Sequence, residues 1–249
     1  MNRQSNTYTV IYAVILVLVV GVTLSLVYQA LRPSQEENIA NDKRRQILAA
    51  ARIVPEDGES ISTLFNEHIR ESFILNDNGE KTDAGVSAFD VDAATESQKP
   101  ASERLLPVFV CKTDAGEKYI LPVYGAGLWG PIWGYVALDA DGDTVYGAYF
   151  AHQGETPGLG AEIEKPKFQN QFEGKTLFDS EGNFTSIAVV KNGQEPKSGS
   201  FVHAISGGTI TSQGVQKMLA SSLEPYAPFL KSLNNNRPED TKADKAIGK

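Results

Sequence analysis

The chain has 249 residues, with 23 Lys and Arg against 31 Asp and Glu, a net charge of −8 that disfavours a nucleic-acid partner. Charged residues make up 22% and hydrophobic residues 41%, which suits a folded chain of one large domain or two small ones and not a disordered one. A single cysteine, Cys111, excludes an intrachain disulfide framework or a cysteine-built metal centre, and the three histidines (His68, His152, His203) are not paired at helical spacing as a zinc site would want.

After a short tail, residues 1–7, the run Tyr8–Tyr28 holds 21 residues without a charge. That meets the roughly 20 residues a helix needs to cross the hydrocarbon, and Tyr8, Tyr12 and Tyr28 suit the two interfaces. A cleaved signal sequence would have a shorter apolar region of about 7–15 residues before a small-residue cleavage site, so a retained anchor over 8–28 is expected. Arg3 precedes the span while Arg32, Lys43, Arg44 and Arg45 follow it; this charge count leaves orientation open, because long C-terminal domains escape the positive-inside rule. Residues 29–56 read as a juxtamembrane helical linker, with Ile39, Ile47, Ala50 and Val54 on one side of a helix over 35–53 and Pro55-Glu-Asp-Gly ending it.

The expected main domain runs from 57 to 233. Ile61, Leu64, Phe65, Ile69 and Phe73 predict a helix over 60–75, with His68 beside its stripe as a packing or surface residue. Residues 76–102 are polar and predict a loop with one short strand. From Leu105 the pattern becomes β. Three hairpins are predicted: 105–112 with 118–124, 134–138 with 144–150, and 175–178 with 184–191. The middle turn, Asp139-Ala-Asp-Gly-Asp, looks like a calcium loop but places its glycine fourth instead of sixth and lacks the closing glutamate. The whole predicts an α+β domain of antiparallel hairpins packed with helices, and residues 234–249 read as a disordered tail.

Three stretches point to chemistry. In Ala204-Ile-Ser-Gly-Gly-Thr-Ile-Thr-Ser-Gln-Gly-Val, hydroxyl residues and two glycines abut a helix stripe of Val215, Met218, Leu219 and Leu223. Either a Ser or Thr side chain caps this helix, or its N-terminus seats a phosphate, with Thr209 placed to carry a phosphoryl group. Tyr124-Gly-Ala-Gly-Leu-Trp-Gly-Pro-Ile-Trp-Gly134 has too many glycines for a regular strand; it is either a hairpin corner or a wall for a flat aromatic ligand. Its G-x-G-x-x-G spacing runs into proline and no helix, so a dinucleotide site is not expected. In Glu155-Thr-Pro-Gly-Leu-Gly160 a leucine stands between glycines after a turn, either buried or free to cover a ring. No Gly-x-Ser-x-Gly elbow supports a serine hydrolase.

In combination and in this order, the single span, Gly-Leu-Trp-Gly, Glu-Thr-Pro-Gly-Leu-Gly and Ser-Gly-Gly-Thr-Ile-Thr-Ser resemble the C subunits of the Na⁺-translocating NADH:quinone oxidoreductases, whose FMN-binding domain is shared with the G subunits of Rnf complexes. The resemblance implies FMN joined by a phosphoester bond to Thr209, added by a flavin transferase that uses FAD. It implies that Ser206, Gly207 and Gly208 form the attachment turn and that Leu128, Trp129 and Leu159 lie against the isoalloxazine. Glu155, Thr156 and Gly160 would shape its polar edge, with Lys191 near the flavin, its cation favouring either the phosphate or the anionic reduced flavin. It implies an electron carrier with no catalytic residue or metal of its own, partnered by other subunits of a membrane NADH:quinone reductase. Its anchor would lie in a bacterial inner membrane, with the domain on the periplasmic side. The alternatives are an electron carrier of the Rnf type or a flavin-free scaffold protein. Two positions depart from the transferase's usual Asp-x-x-Ser-Gly-Ala-Thr target: His203 stands at the Asp and Gly208 at the Ala.

Overall fold

The structure, a computed structural model, describes residues 6–196 and 199–235. The expected tail over 234–249 lies outside the described residues, apart from Asn234 and Asn235, which close the last helix. The chain divides into two compact units, residues 1–44 and 45–249.

Helix α1, Asn6–Ala50, contains the whole first unit's described part. Its most apolar 18-residue window has a mean hydropathy of 2.9 and no buried residue, so the helix is long and apolar enough to cross a membrane. The separate linker helix expected after residue 35 is instead continuous with this span. Pro33 forfeits one backbone bond, yet no glycine or second proline follows it before Ala50, and Arg32 and Glu36 pair across it at 2.8 Å.

In the second unit, α2 (Ile61–His68) passes directly into β1 (Ile69–Leu75). The helix expected to reach Leu75 therefore ends seven residues early. Ile69 and Phe73 fit a helical stripe and a strand face equally well, and the decision is made by distant pairing: Phe73 lies opposite Val108 and Leu75 opposite Leu106. The polar stretch that follows holds the short β2 (Lys81–Thr82) and also α3 (Ala93–Ser97), capped by the Asp92 side chain. Next come β3 (Leu106–Thr113), β4 (Gly116–Ala126), β5 (Pro131–Asp139) and β6 (Val145–His152), which form three successive hairpins, the first and third near the expected positions. The six strands make one antiparallel sheet in the order β2-β1-β3-β4-β5-β6. In the β5–β6 turn the Asp141 and Asp143 carboxylates accept backbone N–H bonds, Asp141 from Asp143 and Thr144 and Asp143 from Leu177 and Phe178.

The third expected hairpin does not form. The short α4 (Pro166–Gln169) precedes this region. Phe178 and Phe184 then make one isolated bridge, and Ser186, at φ 57°, turns the chain away from its would-be partner. The next segment, β7 (Ile187–Val190), instead pairs in parallel with β8 (Ser200–His203). Helices α5 (Thr209–Leu223) and α6 (Ala227–Asn235) close the domain.

Both faces of the sheet are covered, which is why β5 is almost continuously buried. Val136, Leu138 and Phe150 face Val215, Met218 and Leu219 of α5 and an aromatic group completed by Phe168 and Phe172. On the opposite face Phe109, Ile120, Tyr135 and Ala137 pack with Ile47, Ala50 and Ala51. Helix α5 is fixed to β4 where β3 no longer accompanies that strand: the Ser222 hydroxyl accepts from Tyr124 N–H at 3.1 Å and donates to Tyr124 O at 3.2 Å. Ser222→Ala is expected to cost about 1–2 kcal/mol, read as a lower thermal midpoint by circular dichroism.

Candidate functional site

The glycine-rich stretch is mostly strand. The β4–β5 ladder continues to the pair Ala126–Pro131, and only Gly127-Leu-Trp-Gly130 leaves it, closed by Gly127 N–H on Gly130 O at 2.8 Å. The expectation of an irregular segment over 124–134 fails because Gly125 and Gly134 serve close packing, against Met218 and Tyr149, and not turning. Of the two indoles only Trp129 stands at the tip, 69% exposed, next to Leu128 at 47%. Trp133 is within β5 and its Nε1 donates to Gln46.

The loop after β6 turns a carboxylate inward. Glu155 N–H donates to His152 Nδ1 at 3.1 Å, and the Glu155 side chain is buried, only 4% exposed. Its Oε1 accepts from Trp129 N–H at 2.8 Å, and its Oε2 accepts from the Thr211 hydroxyl at 2.5 Å. Burial alone would raise this carboxyl's pKa, but the bonds from Thr211, Trp129 and Leu128 and the nearby His152 hold it below its ordinary value. Glu155 therefore contributes stability that is fully present above its unfolded pKa of about 4.3 and is lost as pH falls through the lower folded value. A plot of thermal midpoint against pH is expected to drop in that acid window, and Glu155→Gln to flatten the drop.

Thr156 is exposed and acts through its carbonyl, which accepts from Leu159 and Ala161 N–H, both at 3.1 Å. Leu159 is not buried: it remains 42% exposed and lies over Gly207, where a Cβ would come within 2.6 Å of its Cδ2. Gly207 has φ 77°, a conformation open to glycine, so the turn into α5 has this residue type for two reasons. Gly160 is buried against Glu155 and Thr211.

At the start of α5 the Ser or Thr cap, one of the two alternatives, is absent. Gly208 is the N-cap, with no side-chain cap bond. The hydroxyls are divided instead: Thr211 is bound to Glu155, Ser212 accepts from Ile205 N–H at 3.0 Å, Ser206 is exposed, and Thr209 is half-buried at the first helical position. Thr209 lines a cleft of about 220 Å³ with Lys191, Gln194, Ser212 and Gln213. His203 lies elsewhere, in a hollow of about 710 Å³ with Lys165, Lys167 and Ser206 that shares only Ala204 with the cleft. Its backbone is held by Gln171, which accepts from His203 N–H at 2.9 Å.

Thr209 and Lys191 thus share one cleft, and Glu155 ties the Leu128–Trp129 tip to α5 while Leu159 covers Gly207. Sequence reasoning did not single out Thr211, His152 as an anchor for Glu155, or Ile210, which is 55% exposed beside Thr209. A buried glutamate implies a donor, but nothing in the local pattern says which. Among the described residues no group of three or more His, Cys, Asp or Glu is placed to hold a metal ion. The arrangement suits a phosphate joined to a flat aromatic body: a lysine and an uncapped helix N-terminus for the anion, and exposed Leu128, Trp129, Leu159 and Ile210 for the ring.

The chain is similar to known proteins. Residues 127–224 match the family described as the FMN-binding domain. The chain is 34% identical to the C subunit of the Na(+)-translocating NADH-quinone reductase of Pseudomonas aeruginosa, an alignment covering 88% of this chain and 91% of that relative. It is 33% identical to the protein of the same name from Yersinia pestis over 93% of this chain and 94% of the relative. The crystal structure of the corresponding Parabacteroides distasonis protein superposes with a TM-score of 0.74 at 49% identity, covering 80% of this chain and 96% of that one.

Proposed function

The chain belongs to the family formed by the C subunits of the Na(+)-translocating NADH-quinone reductases, and we propose that it carries electrons through FMN joined by its phosphate to Thr209. The observation that carries this reading is the position of the Thr209 hydroxyl. It is half-buried at the first residue of an uncapped helix, in one cleft with Lys191, while the hydroxyls of Thr211 and Ser212 are already engaged.

Attachment from FAD balances simply. Thr209 Oγ1 would form a bond to the FMN phosphorus as the pyrophosphate P–O bond breaks and AMP leaves, the hydroxyl proton passing to a base of the flavin transferase or to water. Lys191, in the same cleft, and the first-turn N–H groups would hold the phosphodiester's remaining charge. The exposed Leu159 and Trp129 would cover the ring and exclude water from it, together with the exposed Ile210 and Leu128. The flavin supplies the electron-accepting and electron-donating chemistry; the protein sets its place and surroundings.

In this reading the apolar helix anchors the protein in a bacterial inner membrane beside the other subunits of the reductase, with the FMN-binding domain on the periplasmic side. Sodium movement belongs to those partners, since the span has no charged residue of its own. A flavin-free scaffold is favoured by one observation only, the exposed His203 where the transferase target has aspartate. Production with and without a flavin transferase separates the two. An electron carrier gives a band that stays fluorescent after denaturing electrophoresis only when the transferase is present; a dark band under both conditions establishes the scaffold.

A further inference from the structure

We infer that Thr211 is a positioning residue of the flavin site: through Glu155 it fixes where the Gly127–Gly130 tip, and Trp129 on it, stands relative to Thr209. The inference about the flavin rests on the reading that FMN occupies Thr209, while the inference about the tip does not.

The hairpin tip, the 155–160 loop and the first turn of α5 meet at one buried carboxylate. Glu155 accepts from Trp129 N–H and Leu128 N–H on one side and from Thr211 on the other. Thr211 is 1% exposed and stands two residues after Thr209, so one helical turn presents the attachment hydroxyl to the cleft and a second hydroxyl to the interior. The fit around the carboxylate is close. A Cβ on Gly127 would come within 2.5 Å of Glu155 Oε1, and one on Gly160 within 2.5 Å of Thr211 Oγ1. The glycines on both flanks thus leave room for this bond, and the carboxylate has little space in which to find another donor. A hydroxyl bond to a buried charge is short and stronger than a neutral one, and a carboxylate oxygen left without it draws water in or swings out. If Glu155 swings, the two amides it holds go with it, and those amides set the indole's position.

Valine at 211 keeps the volume and removes the donor; serine keeps the donor and removes a methyl. In the flavin-free full-length chain in detergent, Thr211→Val is expected to speed amide hydrogen exchange at Leu128 and Trp129 about tenfold, with Val136 in β5 unchanged. In the chain produced with the transferase, native-state flavin fluorescence per attached flavin is expected to rise, because Trp129 no longer quenches the ring. Thr211→Ser is expected to restore both readings. Wild-type exchange at Leu128 and Trp129 in Thr211→Val overturns the inference. So does faster exchange spread equally to Val136, which would make Thr211 an ordinary core residue, and so does failure of Thr211→Ser to restore the tip. A wild-type chain that acquires no flavin removes the electron-carrier reading, while the exchange measurements still decide the role of Thr211.

Discussion

Thr209→Ala is expected to abolish covalent flavin and leave the fold almost untouched. Alanine is a good residue for a first helical turn, and Thr209 makes no capping bond, so the thermal midpoint should stay within a change of about 0.5 kcal/mol. Flavin should disappear completely because no neighbouring hydroxyl can replace it. Thr211 and Ser212 are each 1% exposed and engaged with Glu155 and Ile205. Ser206 is exposed but lines the His203 hollow, not the Thr209 cleft. Thr209→Ser, which keeps a hydroxyl in the same cleft, is expected to retain flavin. Fluorescence of denatured Thr209→Ala equal to that of the parent would remove Thr209 from the account.

Glu155→Ala is expected to be the most damaging of the substitutions considered for stability. It strands the Thr211 hydroxyl at a buried position, releases the Leu128 and Trp129 amides, and opens a void between the hairpin and α5. Unsatisfied buried groups of this kind cost about 1–3 kcal/mol each, and a total near 3 kcal/mol corresponds to a midpoint lowered by about 10 °C in a domain of this size. Glu155→Gln fills the void; its carbonyl can accept the two amides while its NH₂ donates to Thr211, so less than half of that loss is expected. A melting curve for Glu155→Ala that overlays the parent would show that the carboxylate does not join these segments.

These two residues also mark how far the sequence could be read. The helix start at Thr209 was legible because its signals are local: hydroxyls and glycines in a row, directly before a helical stripe. The long apolar helix through 8–28 was legible for the same reason, a charge-free run, and the first two expected hairpins were marked by Asp- and Gly-rich turns. Glu155 was legible as a member of a turn, but its partner was not. The bond to Thr211 crosses 56 residues of chain, and in sequence Thr211 is one more hydroxyl in a cluster. The same limit explains the misread elements. Residues 69–75 satisfy both a helical and a strand pattern until β3 pairs with them, and β7 follows a hairpin-like turn but finds its partner at Ser200–His203. Pairing between distant segments decided each case, and periodicity does not report it.

Attachment of FMN to Thr209 is tested by peptide mapping of the chain produced with a flavin transferase. The peptide spanning 198–217 is expected to carry the mass of FMN less one water, with fragmentation placing it on Thr209. An unmodified Thr209, or the same mass on Ser206, Thr211 or Ser212, would contradict it.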